Sequence, residues 1–238
     1  MALKAYKKKL EYSYSLGIFP TIELLQTHPE KVISILLASG AEDTKGISEI
    51  KKLCDKHKIT YDIADKAIAR IAIKEKTQVA GAFEKYTQPL IRNEHHVVLV
   101  NPSLPGNVGT IIRTMVGFGI TNLALIRPCI DFFDPMTVRA AMGAGFKANF
   151  EYFLSFDDYR KKFSENTIYP FVLNGKNELK DVIFKKPATL LFGNEGSGLH
   201  PDFNSSETSI RISHSNEIES LNLSTAAGLA LYSLYNQH

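Results

Sequence analysis

The chain has 238 residues, with a hydrophobic fraction of 44%, a charged fraction of 22% and a formal net charge of +3, values typical of a globular protein. No stretch approaches the ~20 apolar residues that a membrane-spanning helix needs, and no apolar run follows the basic N-terminus as a secretory signal would require. Cys54 and Cys129 lie far apart without a CxxC partner or clustered histidines. A disulfide framework and a metal site are therefore not expected, and a reducing cytoplasm is the expected location.

The positive charge is concentrated in the first part of the chain. Residues 1–93 contain 16 Lys and Arg against 11 Asp and Glu, whereas residues 94–238 contain 12 against 14. A basic N-terminal part favours contact with phosphates, although an ordinary solvated surface fits the same charge.

The first 90 residues alternate between helical and extended patterns. Pro20 starts one helical segment, and a β-branched run closed by Ser39 and Gly40 predicts a buried strand. The predicted elements are helices at 20–26 and 47–57 and extended segments at 31–38, 60–63 and 79–83. This order predicts a compact α/β unit, and the polar, proline-containing segment 86–94 is interpreted as the linker that ends it.

The rest of the chain alternates again, now with longer apolar strands. The predicted strands lie at 96–100, 122–126, 150–154, 168–173, 188–192 and 209–212, and the predicted helices lie at 108–118, 135–142, 156–163 and 222–235. Such alternation predicts a mostly parallel sheet covered on both faces. In such sheets, ligands bind in loops beyond the carboxyl ends of the strands.

The first of three informative loops, residues 101–114, follows a predicted strand. Its prolines and glycines make an irregular turn before a helix, with Asn107 placed as the cap and Arg113 in the second turn. The free N–H groups of a helix start suit a carboxylate or a phosphate, and a guanidinium is a planar donor to the same oxygens. A capped helix with a surface arginine would also fit.

The second loop, GNEGSGLHP at 193–201, follows the predicted strand 188–192. Its three glycines leave the backbone open to close approach by a ligand, with Glu195 at the centre of the turn. The order G-x-x-G-x-G is not the dinucleotide fingerprint G-x-G-x-x-G, and the Gly-Lys-Ser/Thr of an NTPase loop is absent. This disfavours a dinucleotide-dependent oxidoreductase and leaves a ligand loop or an ordinary glycine-rich turn.

The third loop, within 213–232, ends in Ser220, Leu221 and Asn222 and leads into a helix rich in small residues. Small residues allow this helix to pack closely against another backbone. The alternative is a Ser/Asn-capped C-terminal helix that only buries its apolar face.

In their order and separations, the three loops resemble the three motifs of the SpoU/TrmH family in the SPOUT methyltransferase superfamily. The first is similar to the family's N-x₅-R motif, the second to its G-x-E-G-x-G motif and the third to its I-x-I … S-L-N-V-S segment. The residues that carry the resemblance are Asn107, Arg113, Gly193, Glu195, Gly196, Gly198, Ile210, Ile212, Ser220, Leu221, Asn222 and Ser224. The segments 16–25, 76–86 and 134–146 are also similar to family segments, so the resemblance covers nearly the whole chain.

The resemblance implies an α/β architecture of two domains. Residues 1–90 would form a small ribosomal-protein-like domain that binds substrate RNA, and residues 95–238 would form the SPOUT methyltransferase domain. A deep trefoil knot would be formed by the second and third loops. The family acts as a homodimer, with the active site at or near the subunit interface.

The resemblance also implies an activity: S-adenosylmethionine-dependent methylation of a ribose 2′-hydroxyl in a structured tRNA or rRNA, without metal or membrane. Arg113 would orient the hydroxyl, assisted by Asn107, Glu195 and Asn222. The residues implied for cofactor binding are Gly193, Asn194, Gly196, Gly198, Ile212, Ser220 and Leu221. The residues expected to meet RNA phosphates are Lys7, Lys8, Lys9, Lys51 and Lys52.

The chain departs from the family pattern in the third motif. Ser213 and His214 stand where the family often has Pro-Met, and the usual glycine before Ser220 is absent. We expect the pocket to be kept because the spacing from Ile212 to Leu221 is kept, and we expect a structural role for His214 rather than that of a general base. Two alternatives are a SPOUT enzyme that methylates a base and a non-catalytic RNA-binding protein.

Overall fold

The structure is a computed structural model that describes residues 3–41, 44–72 and 77–237. Residues 1–2, 42–43 and 73–76 of the predicted N-terminal domain, and residue 238, lie outside the described residues. None of the described helices is both long and apolar enough to cross a membrane.

The helices and strands are numbered along the chain. The strands are β1 (Tyr12–Leu16), β2 (Val32–Leu37), β3 (Tyr61–Ile63), β4 (Val79–Glu84), β5 (His96–Val100), β6 (Asn122–Ile126), β7 (Asn149–Phe153), β8 (Thr167–Pro170), β9 (Asn177–Glu178), β10 (Ala188–Phe192) and β11 (Ile210–Arg211). The helices are α1 (Ile18–Thr27), α2 (Lys45–His57), α3 (Asp65–Ile71), α4 (Pro105–Gly117), α5 (Pro135–Ala140), α6 (Phe156–Lys162) and α7 (Leu223–Tyr235).

The chain divides into two compact units. The first comprises Met1–Tyr86 and Asp131–Lys147, and the second comprises Thr87–Ile130 and Ala148–His238. The first boundary falls inside the predicted linker. The segment Asp131–Lys147, however, packs in the first unit, whereas the sequence placed it in the domain at 95–238. The sequence could not show this because the segment returns to the first unit after two strands of the second.

The first unit contains a four-stranded sheet of order β1-β4-β2-β3. The pairs β1–β4 and β2–β4 are antiparallel, and β2–β3 is parallel. The patterns that predicted α1, α2, β2, β3 and β4 are confirmed, while β1 and α3 were missed. Strand β1 does alternate between large and polar residues, and the sequence analysis overlooked it. Its two serines, Ser13 and Ser15, do not face solvent but are buried and hydrogen-bonded to other parts of the unit.

An ion pair and aromatic packing hold the returning segment in the first unit. Lys85 Nζ lies 2.5 Å from Asp131 Oδ2, and the Tyr6 hydroxyl donates to the same oxygen at 2.7 Å. The Phe133 ring packs edge-on against Phe83, with 5.3 Å between centroids. Both charged side chains are largely buried, so each needs the other to offset its desolvation.

The second unit is built on a five-stranded parallel sheet of order β7-β6-β5-β10-β8. This confirms the predicted α/β fold with a parallel sheet. A further parallel pair, β9–β11, lies outside it, and β9 was not predicted.

The order of the strands places two of the informative loops side by side. Since β5 and β10 are parallel neighbours, with Leu99 opposite Phe192, the loops that follow them leave the same edge of the sheet. The first and second informative loops are brought together in this way.

A buried polar chain fixes one face of this sheet. His96 lies between the Ile91 carbonyl, 2.8 Å from Nε2, and the Tyr159 hydroxyl, 2.9 Å from Nδ1. The Tyr159 hydroxyl also lies 2.6 Å from Thr189 Oγ1. Burial lowers the pKa of His96, so the ring stays neutral in the folded protein, with Nε2 donating to the carbonyl. We assign this histidine a structural role.

Candidate cofactor-binding and active site

The carboxylate of Glu195 binds the start of α4. Oε2 accepts from Ser103 N at 3.0 Å and from Ser103 Oγ at 2.8 Å. Oε1 accepts from Leu104 N at 3.0 Å and from Asn107 Nδ2 at 3.3 Å. The sequence predicted that this helix start could bind a carboxylate or a phosphate. The group found there is the carboxylate of Glu195, at the end of the helix where the dipole favours negative charge.

Helix α4 begins three residues earlier than predicted, which changes two assignments. Its N-cap is Leu104, and Pro105 occupies the first turn, where a missing N–H costs nothing. Asn107 is thus inside the helix and is not its cap. Arg113 falls in the third turn rather than the second. The cap prediction failed because the carboxylate of Glu195, 88 residues away from Asn107, satisfies the helix start instead.

Asn107 joins the first loop to the third. Its Oδ1 accepts from Asn222 Nδ2 at 3.2 Å, while its own amide donates to Glu195. Asn222 also caps α7, with Oδ1 accepting from Ser224 N at 2.8 Å. A Ser/Asn-capped helix was the alternative interpretation of the third loop, and the structure shows both this cap and the contact of Asn222 with Asn107. The three polar side chains Glu195, Asn107 and Asn222 therefore form one connected network between the starts of α4 and α7.

The glycine-rich loop folds back on itself. Asn194 N donates to Gly198 O at 3.2 Å, and Gly198 N donates to Asn194 O at 2.9 Å. A Cβ on Gly193 would lie 2.0 Å from the carbonyl carbon of Gly198, so only glycine fits there. Gly198 has a φ of 66°, a conformation that side chains with a Cβ rarely adopt. The sequence predicted that a ligand could approach the backbone of this loop closely. In the structure, the close contact at Gly193 is with the loop's own backbone at Gly198.

The Asn194 side chain fixes the loop at both ends. Its Oδ1 accepts from Gly196 N at 2.9 Å and from Ser197 N at 3.2 Å. Its Nδ2 donates to Asn101 O at 2.8 Å, which ties the loop to the end of β5.

A cavity of about 320 Å³ opens between the second and third loops. Its lining includes Gly193, Asn194, Glu195, Gly196, Gly198, Ile212, His214, Ser220 and Leu221. All seven residues predicted to bind a cofactor therefore lie around one cavity. This volume lies within the range of small-molecule sites.

Sequence reasoning missed one wall of the cavity, the segment after β8. This wall consists of Phe171, Val172, Leu173 and Asn174. Phe171 stacks on Phe192 with 4.6 Å between ring centroids, which joins this segment to the end of β10. Nothing in the local pattern marked it, because its place depends on β8 lying beside β10 in the sheet.

His214 lies at the rim of the cavity. Its Nδ1 donates to Ile212 O at 2.9 Å, an interaction within its own loop. The side chain is exposed and lines the cavity. The contact is in keeping with the structural role expected for this residue.

Arg113 stands apart from the cavity in the single chain. It is exposed on α4 and is not among the lining residues. Arg113 lies six positions after Asn107, which places it about 120° around the helix from Asn107 and about 9 Å along it. The structure therefore brings together Glu195, Asn107 and Asn222, whereas the predicted fourth member, Arg113, is not part of this network.

The lysines predicted to contact RNA lie in two places in the first unit, the segment before β1 and helix α2. Lys7, Lys8 and Lys9 are exposed in the segment before β1. In α2, Lys52 is exposed and Lys51 is half-buried.

Glu195→Gln is expected to destabilise the second unit by about 1–2 kcal/mol. Both carboxylate oxygens of Glu195 accept hydrogen bonds, whereas the NH₂ group of a glutamine would replace one of these acceptors by a donor. Burial alone raises the pKa of Glu195, but the hydrogen bonds from Ser103 and Leu104 outweigh it and hold the pKa below 4.5. A depressed carboxylate pKa contributes stability above 4.5 that is lost as the pH falls through the folded-state value. Urea unfolding of both proteins as a function of pH measures this. A stability gap that stays constant from neutral pH to well below 4.5 would contradict it.

The fold is that of an α/β protein with a cavity of small-molecule size in loops beyond the carboxyl ends of its parallel strands. The model of the SpoU rRNA Methylase family matches residues 94–232, and the chain belongs to this family.

Individual relatives agree with this assignment. An uncharacterized tRNA/rRNA methyltransferase of Synechocystis sp. is 29% identical over 136 residues, which cover 56% of this chain and 50% of that protein. The chain thus spans half the length of that relative. The 23S rRNA (guanosine-2′-O-)-methyltransferase RlmB of Acinetobacter baylyi is 25% identical over 249 residues, which cover 96% of this chain and 98% of that protein. The crystal structure of an AdoMet-bound rRNA methyltransferase from Sinorhizobium meliloti superimposes with a TM-score of 0.79 at 25% identity, covering 95% of this chain and 87% of that one.

Proposed function

We propose that this protein transfers a methyl group from S-adenosylmethionine to a ribose 2′-hydroxyl of tRNA or rRNA. The observation that carries the proposal is the cavity between the second and third loops, joined by the Glu195–Asn107–Asn222 network to the start of α4. Support also comes from the SpoU family and from the A. baylyi relative, whose name states ribose 2′-O-methylation.

The lining of the cavity suits the cofactor. Apolar side chains such as Phe171, Ile212 and Leu221 offer surfaces for an adenine ring. The backbone of the glycine-rich loop offers polar groups at close range, since Gly193 carries no side chain. Gly193, Asn194, Gly196, Gly198, Ile212, Ser220 and Leu221 would hold the cofactor.

When bound, S-adenosylmethionine supplies a methyl group made labile by the positive charge on its sulfur. Transfer to the ribose 2′-oxygen would replace the S–C bond of the cofactor by a C–O bond, with the electron pair left on sulfur. The hydroxyl proton would pass to an RNA phosphate oxygen or to solvent. Positioning of the two reactants is the protein's main contribution.

Arg113 orients the 2′-hydroxyl and the adjacent phosphate by hydrogen bonding and charge. A guanidinium stays protonated in proteins and is therefore a poor base, so its role is electrostatic. Glu195, Asn107 and Asn222 fix the start of α4, on which Arg113 is carried. We assign the proton to an acceptor other than Arg113.

The quaternary and topological parts of the proposal are a homodimer and a deep trefoil knot formed by the second and third loops. An exposed apolar surface on α7 supports a subunit contact: Leu229, Tyr232 and Tyr235 are 42%, 57% and 56% exposed. Phe118, just after α4, packs on both tyrosines, so this surface adjoins the helix of Arg113. Since Arg113 is exposed and does not line the cavity of its own chain, we place it at this contact, acting on RNA bound to the partner subunit.

The first unit is proposed to bind substrate RNA, with Lys7, Lys8, Lys9, Lys51 and Lys52 meeting phosphates. The support is the excess of basic residues in this part of the chain and the exposure of all but Lys51. Electrostatic binding of this kind weakens with salt.

Leu221→Arg tests the proposed function, because it places a charge against the apolar wall of the cavity. We expect S-adenosylmethionine to bind at least about tenfold more weakly by calorimetry, since the new charge must be desolvated or displace the ligand. Ile183→Arg is the matched control: Ile183 is 82% exposed and does not line the cavity. Equal affinities for the two variants and the wild type would refute the cavity as the cofactor site.

A further inference from the structure

An arginine stacked on a tyrosine lies at the carboxyl edge of the second unit's sheet. Arg127 follows β6, and its backbone N–H donates to Phe153 O at 2.9 Å, which continues the pairing of β6 with β7. Its guanidinium carbon lies 5.0 Å from the centroid of the Tyr152 ring. The two side chains therefore sit at the ends of neighbouring parallel strands, where ligands of α/β proteins bind.

The guanidinium is available to an anion. Arg127 is exposed, and among the residues that the structure describes it has no carboxylate within ion-pair distance, whereas Arg92 and Arg211 are paired with Glu165 and Glu178. A guanidinium that lies on an aromatic ring keeps its N–H donors directed outward from the ring edge. The ring limits the conformations of the arginine, so less entropy is lost when an anion binds.

A short chain of hydrogen bonds connects this position to the glycine-rich loop. Asn101 Nδ2 donates to Pro128 O, next to Arg127, at 3.3 Å. The carbonyl of Asn101 accepts from Asn194 Nδ2 at 2.8 Å, and Asn194 lines the cavity. Arg127 itself does not line the cavity. It therefore lies beside the site, across the carboxyl ends of β5 and β6, and not within it.

We propose that Arg127, held by the Tyr152 ring, binds a backbone phosphate of the RNA strand close to the nucleotide that is methylated. The inference rests on the proposed function and extends it by a second contact point for the RNA in the second unit. A phosphate is the group that fits an unpaired planar cation outside the cofactor cavity, and such a contact positions the strand without reading its sequence.

The test compares Arg127→Gln with Arg160→Gln by filter binding of unfractionated tRNA over a range of salt concentrations. Arg160 is exposed in the last turn of α6, so both variants lose one positive surface charge of the second unit. We expect Arg127→Gln to bind about fivefold to tenfold more weakly at low salt and to lose about 0.7 from the slope of log affinity against log salt. Arg160→Gln is expected to stay within about twofold of the wild type.

Two further variants separate the stacked arrangement from charge alone. Tyr152→Phe keeps the ring and is expected to bind like the wild type, whereas Tyr152→Leu removes it and is expected to weaken binding less than Arg127→Gln does. Calorimetry with S-adenosylmethionine accompanies each variant, and unchanged cofactor affinity shows that the fold and the cavity are intact.

The outcomes distinguish the inference from the function on which it rests. Equal RNA affinities and salt slopes for Arg127→Gln and Arg160→Gln, with cofactor binding intact, overturn the phosphate contact and leave the proposed function standing. A wild-type protein that binds the cofactor but no RNA overturns both the contact and the RNA substrate. A wild-type protein without cofactor binding overturns the proposed function directly.

Discussion

Gly193→Ala is expected to lower the affinity for S-adenosylmethionine by about 10- to 100-fold. The added methyl group would lie 2.0 Å from the Gly198 carbonyl carbon and 2.3 Å from Leu199 N, and all of these neighbours are backbone atoms. No side-chain rotation can relieve such a contact, so the two strands of the loop must separate. The hydrogen bonds between Asn194 and Gly198 would be broken, and with them the shape of the cavity wall.

Gly196→Ala is the matched control in the same loop. Its Cβ would meet only Asn194 Oδ1, at 3.5 Å, which is an ordinary contact. Calorimetric titration of both variants measures the difference. If both alanines reduced affinity equally, loop flexibility rather than the close backbone approach at Gly193 would be the determinant, and the structure of this wall would be wrong.

Arg113→Ala is expected to lower the rate of methyl transfer by about 10²–10³-fold with little change in cofactor affinity. The magnitude is that of removing one preorganised electrostatic group from an active site. Cofactor affinity should persist because Arg113 is exposed on α4 and lies outside the lining of the cavity. Labelled-methyl transfer under single-turnover conditions measures the rate, and unchanged turnover would remove Arg113 from the mechanism.

Mixing two inactive variants tests where Arg113 acts. If it serves the cavity of the partner subunit, then Arg113→Ala mixed and refolded with Leu221→Arg forms heterodimers that contain one complete site. Random assortment would restore about a quarter of the wild-type activity. Absence of any restored activity would place Arg113 in its own subunit's site or exclude the dimer, while leaving methyl transfer itself untouched.

The residues expected around the cavity came from the resemblance to the family motifs, and local signals marked the strands and loops that carry them. The apolar runs that became β5 and β10 are unambiguous, and the three glycines after β10 mark a loop that needs close backbone approach. A Ser/Asn cap before the helix of small residues was the alternative interpretation of the third loop, and Asn222 does cap α7.

The failures share a different cause, which is that distant residues override local patterns. Asn107 was read as a cap, but Glu195 satisfies the start of α4 and leaves Asn107 free to reach Asn222. The cavity wall at Phe171 depended on a strand order that no local pattern contains. Arg113 is exposed on α4 and lies outside the cavity lining of its own chain, which the N-x₅-R spacing does not reveal.

The return of Asp131–Lys147 to the first unit is a further case. Its attachment depends on the contacts of Asp131 with Lys85 and of Phe133 with Phe83, which are 46 and 50 residues apart in the sequence and give no periodic signal. A linker read from composition marks where the chain first leaves a unit, but it cannot show that the chain comes back.

Transfer of a labelled methyl group from S-adenosylmethionine to unfractionated tRNA and rRNA, followed by complete alkaline hydrolysis, tests the central claim most directly. A methylated 2′-oxygen cannot attack the adjacent phosphate, so we predict that the label is recovered in alkali-resistant dinucleotides. Label recovered in mononucleotides would show methylation of a base instead. No incorporation into either RNA by a protein that binds the cofactor would contradict the assignment as an RNA methyltransferase.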